Sequence, residues 1–148
     1  MFQFKFQSIL NYRKQVEDTC RQDFARSRQK WEKEREKLGQ YYKLWEKCME
    51  EWRTVQEGSV SVPEFDLYQK YMLGMKCDIS KQVERIRECK EKMGKKRDIL
   101  LNALKDKKIM ERLEEYHFAE YSRDQSSREK KFVDEVATQR FNFKGNKN

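Results

Sequence analysis

With a single histidine, His117, and four cysteines, this chain of 148 residues has little with which to do covalent chemistry. His117 sits in charged sequence without a nucleophile or carboxylate arranged around it as a triad. Cys20, Cys48, Cys77 and Cys89 lack the short C-x-x-C spacing through which two thiolates share a zinc ion. No metal site is expected, and the thiols read as small hydrophobes kept reduced inside a cell. There is no GxxxxGK[ST] or GxGxxG loop to cradle phosphates, so any nucleotide chemistry must belong to a partner. Glu and Asp are abundant, but a charge-rich helical chain offers nothing to enclose a substrate or exclude water. The expectation is a protein that is not an enzyme and has no cofactor.

Charge narrows the partners. The net charge is +8, and the excess is spread along the chain. The densest cluster, Lys90, Lys92, Lys95, Lys96 and Arg97, is diluted by Glu91 and Asp98 and reads as a solvated helix face; attraction for phosphates or an acidic partner is the alternative. A nucleic-acid-binding coiled-coil arm is thus a competing function, although only weak, non-specific nucleic-acid binding is expected. No apolar run approaches the roughly 20 residues of a membrane span, and the opening Met-Phe-Gln-Phe-Lys-Phe lacks a signal peptide's apolar core. The sequence predicts a cytoplasmic protein with no membrane insertion.

Charged residues make up 41% of the chain and hydrophobic ones 36%, too few for a wide core. A two-stranded seam buries about two positions in seven, which suits this balance. Alternating steps of four and three from Ile9 pick out Arg13, Val16, Cys20, Phe24, Ser27, Trp31, Glu34, Leu38, Tyr41, Trp45, Cys48, Trp52 and Val55, apolar except at Arg13, Ser27 and Glu34. The repeated step of four at Val16, Cys20 and Phe24 is a stutter that relaxes the supercoil. The pattern stops at Gln56-Glu57-Gly58, where glycine is expected to end the helix in the left-handed conformation. Ser61-Val62-Pro63-Glu64 then matches a capping box, with proline harmless in the first turn. A second stripe runs Phe65, Tyr68, Met72, Met75, Ile79, Gln82, Ile86, Cys89, Met93, Lys96, Leu100 and Leu104, apolar except at Gln82 and Lys96.

The short connection makes the helices antiparallel. Trp52 should lie level with Tyr68, Trp45 with Met75, Tyr41 with Ile79, Trp31 with Cys89 and Cys20 with Leu100. No cysteine faces another, so no intramolecular disulfide is expected. The predicted fold is all-α, a long antiparallel two-helix coiled-coil hairpin forming one domain over residues 1–148. Helices are expected at about 5–57 and 62–141, with a turn at 58–61 and a disordered tail at 142–148. At 1.5 Å per residue the helices would span roughly 80 and 120 Å, so the second overhangs past about residue 116. Phe118, Tyr121, Phe132, Val133, Val136 and Phe141 still place apolar groups along that overhang. Beside the seam and near the turn, Tyr42, Leu44 and Met49 with Leu67, Tyr71 and Leu73 read either as a widened stripe or as a partner-binding patch.

Three segments, in order, carry a family resemblance: Phe4-Lys5-Phe6-Gln7-Ser8-Ile9-Leu10 with Arg13 and Lys14; Tyr68-Gln69-Lys70-Tyr71; and Lys130-Lys131-Phe132-Val133-Asp134-Glu135-Val136-Ala137 with Arg140. Together they resemble the FliJ family of flagellar type III export proteins over essentially the whole chain. The resemblance implies a cytoplasmic stalk, similar to the γ subunit of rotary ATPases, that enters the hexameric flagellar export ATPase and promotes its assembly and activity. It also implies binding to the cytoplasmic domain of the export gate, recycling of export chaperones, and a place at the cytoplasmic face of the membrane at the flagellar basal body. The equivalent stalk of a virulence injectisome is the alternative within the class. Counted from the Tyr-Gln-Lys-Tyr motif, the implied gate-binding residues are Tyr71, Met75, Asp78 and Gln82, with Leu38, Tyr42, Trp45 and Met49 on the first helix. Asp78 departs from the family's usual small apolar residue, and Trp45 and Met75 also lie on the seam stripes. The implied ATPase-ring contacts are Phe4, Phe6, Phe132, Val133, Val136 and Arg140.

Overall fold

A computed structural model describes residues 1–58 and 61–146. Two helices account for most of them: α1, Gln7–Gln56, and α2, Val62–Gly145. They pack against each other as the all-α antiparallel hairpin that the two stripes require. The chain divides into two compact units: Met1–Glu17 with Ala103–Asn148, and Asp18–Asn102.

The stripes explain the burial. From Arg13 to Val55 every predicted seam position of α1 is buried or half-buried, and on α2 the same holds from Tyr68 to Leu104 except at Lys96. The edges differ: Leu10 is fully buried in place of Ile9, and Phe65 is exposed. Glu17, beside Val16 at the stutter, is buried as well and pairs with Lys107 at 3.8 Å. A stutter shifts the seam sideways along the helix, which brings this flanking carboxylate inward.

The second unit shows how the helices meet. The Trp52 ring lies 5.1 Å from Tyr68 and 5.3 Å from Phe65, and the Lys76 ammonium lies 5.8 Å from the Trp45 ring centre. The Trp52–Tyr68 pair is the one predicted from the register. The most buried polar group lies in this seam. Gln82 is 1% exposed, and its Nε2 donates to the Glu34 carbonyl at 2.8 Å and to Glu34 Oε2 at 2.6 Å. Glu34 and Gln82, polar interruptions of the two stripes, thus meet across the seam and satisfy the Gln82 amide nitrogen, while its Oε1 is buried without a partner. That hydrogen bond, with Lys37 beside it, holds the Glu34 carboxyl below the usual carboxylate range.

The helix ends follow their local chemistry. Ser61 Oγ accepts a hydrogen bond from the Glu64 amide at 3.4 Å, the expected serine cap of α2. Gly58 corrects an expectation. No described residue, glycine included, has a positive φ, and α1 closes through Glu57 N–H to Arg53 O and Gly58 N–H to Val55 O, each 3.2 Å. Tightened backbone bonds satisfy the last carbonyls there, so the left-handed conformation is not needed. Ser59 and Val60 of the predicted turn lie outside the described residues. At the other end α2 is helical to Gly145, through much of the segment expected to be a disordered tail, while Lys147 and Asn148 lie outside the described residues.

All four cysteines are free; Cys48 and Cys89 are buried, Cys20 is half-buried and Cys77 is exposed. Burial, helped by Glu51, pushes the Cys48 thiol up. Since the thiolate is the nucleophile, a maleimide reagent at pH 7 is expected to modify Cys77 first and Cys48 and Cys89 at least tenfold more slowly, as resolved by peptide mass spectrometry over a time course. Labelling of Cys48 at the Cys77 rate would contradict the seam assignment.

Candidate interaction surfaces

The first unit begins with residues 1–4 outside the helix and a turn at Lys5 and Phe6, closed by Gln7 N–H to Phe4 O at 3.1 Å. Phe2, Phe4 and Phe6 of this segment pack against α2. Phe4 lies 5.7 Å from His117 and 5.9 Å from Phe6, Phe6 lies 6.2 Å from His117, and Phe2 lies 5.3 Å from Phe118 and 5.5 Å from Tyr121. Below this cluster Arg13 pairs with Asp106 at 3.3 Å. His117 is thus an aromatic partner in packing. The covered part of α2 reaches Tyr121, further than the predicted limit near residue 116, because Phe2 was not counted as part of the arm.

Beyond Gln125 the situation changes. Of residues 126–146, every one is exposed except the half-buried Val136. Phe132 at 67% and Val133 at 61% are open, and with Val136, Ala137, Arg140 and Phe141 they line one shallow apolar surface. An isolated helix in water gains nothing from such residues, which makes this a candidate interaction surface. Four predicted ATPase-ring residues, Phe132, Val133, Val136 and Arg140, come together here. The other two do not. Phe4 is buried at 8% and committed to His117, and Phe6 is half-buried in the same cluster.

In the second unit the predicted gate residues separate into groups. Trp45 and Met49 line a groove of about 490 Å³ with Met72, Leu73, Gln69 and the Asp66, Lys70 and Lys76 side chains. Tyr71 belongs to another surface, beside Leu67 and Tyr68. Tyr42 and Asp78 are exposed, Leu38 and Met75 half-buried. Gln82 does not belong to any exposed surface; it is turned into the seam toward Glu34. Of the apolar flanks read from the sequence, Tyr42, Leu44, Leu67, Tyr71 and Leu73 are open to solvent. Leu73, read with Met49 as part of the flanking patch, lines this groove, and so does Met72, which was read as a seam residue.

Among the described residues no group of three or more His, Cys, Asp or Glu side chains could hold a metal ion, and no helix is long and apolar enough to cross a membrane. The chain is a protein of the coiled-coil hairpin class. More particularly, it belongs to the FliJ family: the family model described as Flagellar FliJ protein matches residues 2–146. No curated protein and no solved structure gives a significant match. Family membership gives the chain a role related to flagellar protein export.

Proposed function

We propose that the chain is the γ-subunit-like stalk of the flagellar export ATPase, entering the hexameric ring, promoting its assembly and hydrolysis, and also binding the export gate and helping to recycle export chaperones. The exposed apolar helix at residues 126–146 carries this reading, since it is folded but uncovered in a chain whose family match includes it. Its ring contacts are Phe132, Val133, Val136 and Arg140. Phe4 and Phe6 support them indirectly, by holding the opening segment against His117. A stalk that presents a different side chain to each ring subunit gives each a different free energy of contact, which biases their conformations. The gate is read by the second unit, with Tyr42, Tyr71 and the Trp45–Met49 groove as the accessible contacts. On this reading the protein works in the cytoplasm, at the membrane face of the basal body.

The two surfaces should be separable. The double substitution Y42A/Y71A is expected to weaken binding to the purified cytoplasmic domain of the export gate by roughly tenfold, as for central aromatic contacts, and to leave stimulation of the ATPase unchanged. F132S/V133S should do the reverse. Equal damage to both activities by either variant would sink the assignment of the surfaces. An injectisome gate substituting fully for the flagellar one in the binding assay would favour the injectisome reading.

A further inference from the structure

The uncovered end of α2 carries two charges in the middle of its apolar face. Over residues 126–143 every other charged residue has an opposite charge three or four places along the helix: Arg128 has Asp124, Lys130 and Lys131 have Asp134, and Glu135 has Lys131. Glu129 and Arg140 have none at either distance. At about 100° per residue, Glu129, Phe132, Val133, Val136 and Arg140 all fall within one sector of about 100° of the helix. Arg140 accordingly lines a single shallow surface with Phe132, Val133 and Val136, and all five residues are exposed except the half-buried Val136. The order along this face is symmetric. Glu129, Val133, Val136 and Arg140 follow at steps of four, three and four, so the face read backwards keeps its apolar centre and exchanges the charges at its ends.

We infer that this face binds a second copy of the chain in antiparallel order. Glu129 then meets Arg140 of the second copy and Arg140 meets its Glu129, while Val133 meets Val136 in both directions, as a self-complementary two-fold contact requires. Phe132, beside Val133, meets Ala137. Parallel pairing would set Glu129 against Glu129 and Arg140 against Arg140, and an acyl layer would desolvate both charges without satisfying either. The length fits as well. In this register the last described residue of the second copy, Asn146, stands level with Arg123, short of Tyr121, on which Phe2 packs. About a dozen residues of each helix take part, well below a standard interface, so the dimer is weak and forms reversibly in the micromolar range. The inference does not rest on the ring reading above. In any one chain the two contacts exclude each other, because the residues that meet the second copy include those assigned to the ring.

Sedimentation equilibrium of the full-length chain, with no ATPase present, tests this. The wild type should pass from monomer to dimer across the micromolar to sub-millimolar range. R140E sets Glu against Glu in both halves of the contact and should weaken the dimer about tenfold or more. E129R, which sets Arg against Arg, should do the same. E129R/R140E exchanges the two charges and should restore the dimer. An equimolar mixture of E129R and R140E chains should also pair as tightly as the wild type, although each alone pairs poorly. Circular dichroism of each variant establishes that the helices are intact; both side chains are exposed. A chain that is monomeric at every concentration overturns the inference. So does a dimer that R140E leaves unchanged, or one that R140E weakens and E129R/R140E does not restore. Because the ATPase is absent, these outcomes leave the stalk reading untouched, and a chain that fails to stimulate the ATPase leaves the dimer untouched.

Discussion

A chain ending at Gln125 is expected to fold normally and to leave the cognate export ATPase at the rate it shows alone. The cut is placed by the structure. Phe2 packs on Phe118 and Tyr121, and the Gln125 amide donates to Tyr121 Oη at 3.1 Å, so the covered part of α2 is retained whole. What is lost is residues 126–146, nearly all exposed, whose removal takes away no buried contact. Thermal stability should change little, whereas the surface proposed to enter the ring is gone. Steady-state hydrolysis with full-length and truncated chains, alongside circular dichroism, checks both halves. A truncated chain that stimulates as well as the full length does would assign ring contact elsewhere.

The second large effect is on stability, and it is asymmetric. Glu34→Ala removes the charged acceptor of the buried Gln82 Nε2 and leaves it the backbone carbonyl of residue 34 alone, a loss of about 2 kcal/mol. Gln82→Leu is expected to be neutral or stabilising by about 1 kcal/mol, because Gln82 Oε1 is already buried without a partner and leucine suits a seam. Adding Gln82→Leu to Glu34→Ala should then recover most of the loss. Urea denaturation of the three variants measures this; equal, additive destabilisation by both single changes would show that the pair is not coupled. pH supplies an independent check. The Glu34 carboxyl is depressed in the folded chain, so its contribution is present at pH 7 and above the ordinary carboxylate range, and is lost as pH falls through the depressed value. In Gln82→Leu that part of the acid sensitivity should shrink.

Much of this fold is legible in the sequence because seam burial follows a seven-residue interval that side-chain chemistry reveals directly. Trp45, Cys48 and Trp52 could be placed without a structure, and so could Tyr68 opposite Trp52. Polar seam positions were less legible. A Gln at a core position announces only that a partner is needed, and Glu34 became that partner through the facing register. Gly58 misled, since a glycine after a helix permits a left-handed cap without requiring one. The uncovered apolar surface near the end of α2 was legible in Phe132, Val133 and Val136. Phe4 and Phe6 were not, because the sequence shows their hydrophobicity but not the His117 ring that covers them. Gln82 was carried into the gate surface by counting from a motif, and a linear count does not report which way a side chain turns.

Action of this chain on the export ATPase is tested most directly by purifying that ATPase and measuring hydrolysis and ring formation with and without the full-length chain. Both are expected to rise when the chain is added, saturating as rings fill. No change in either would contradict that action.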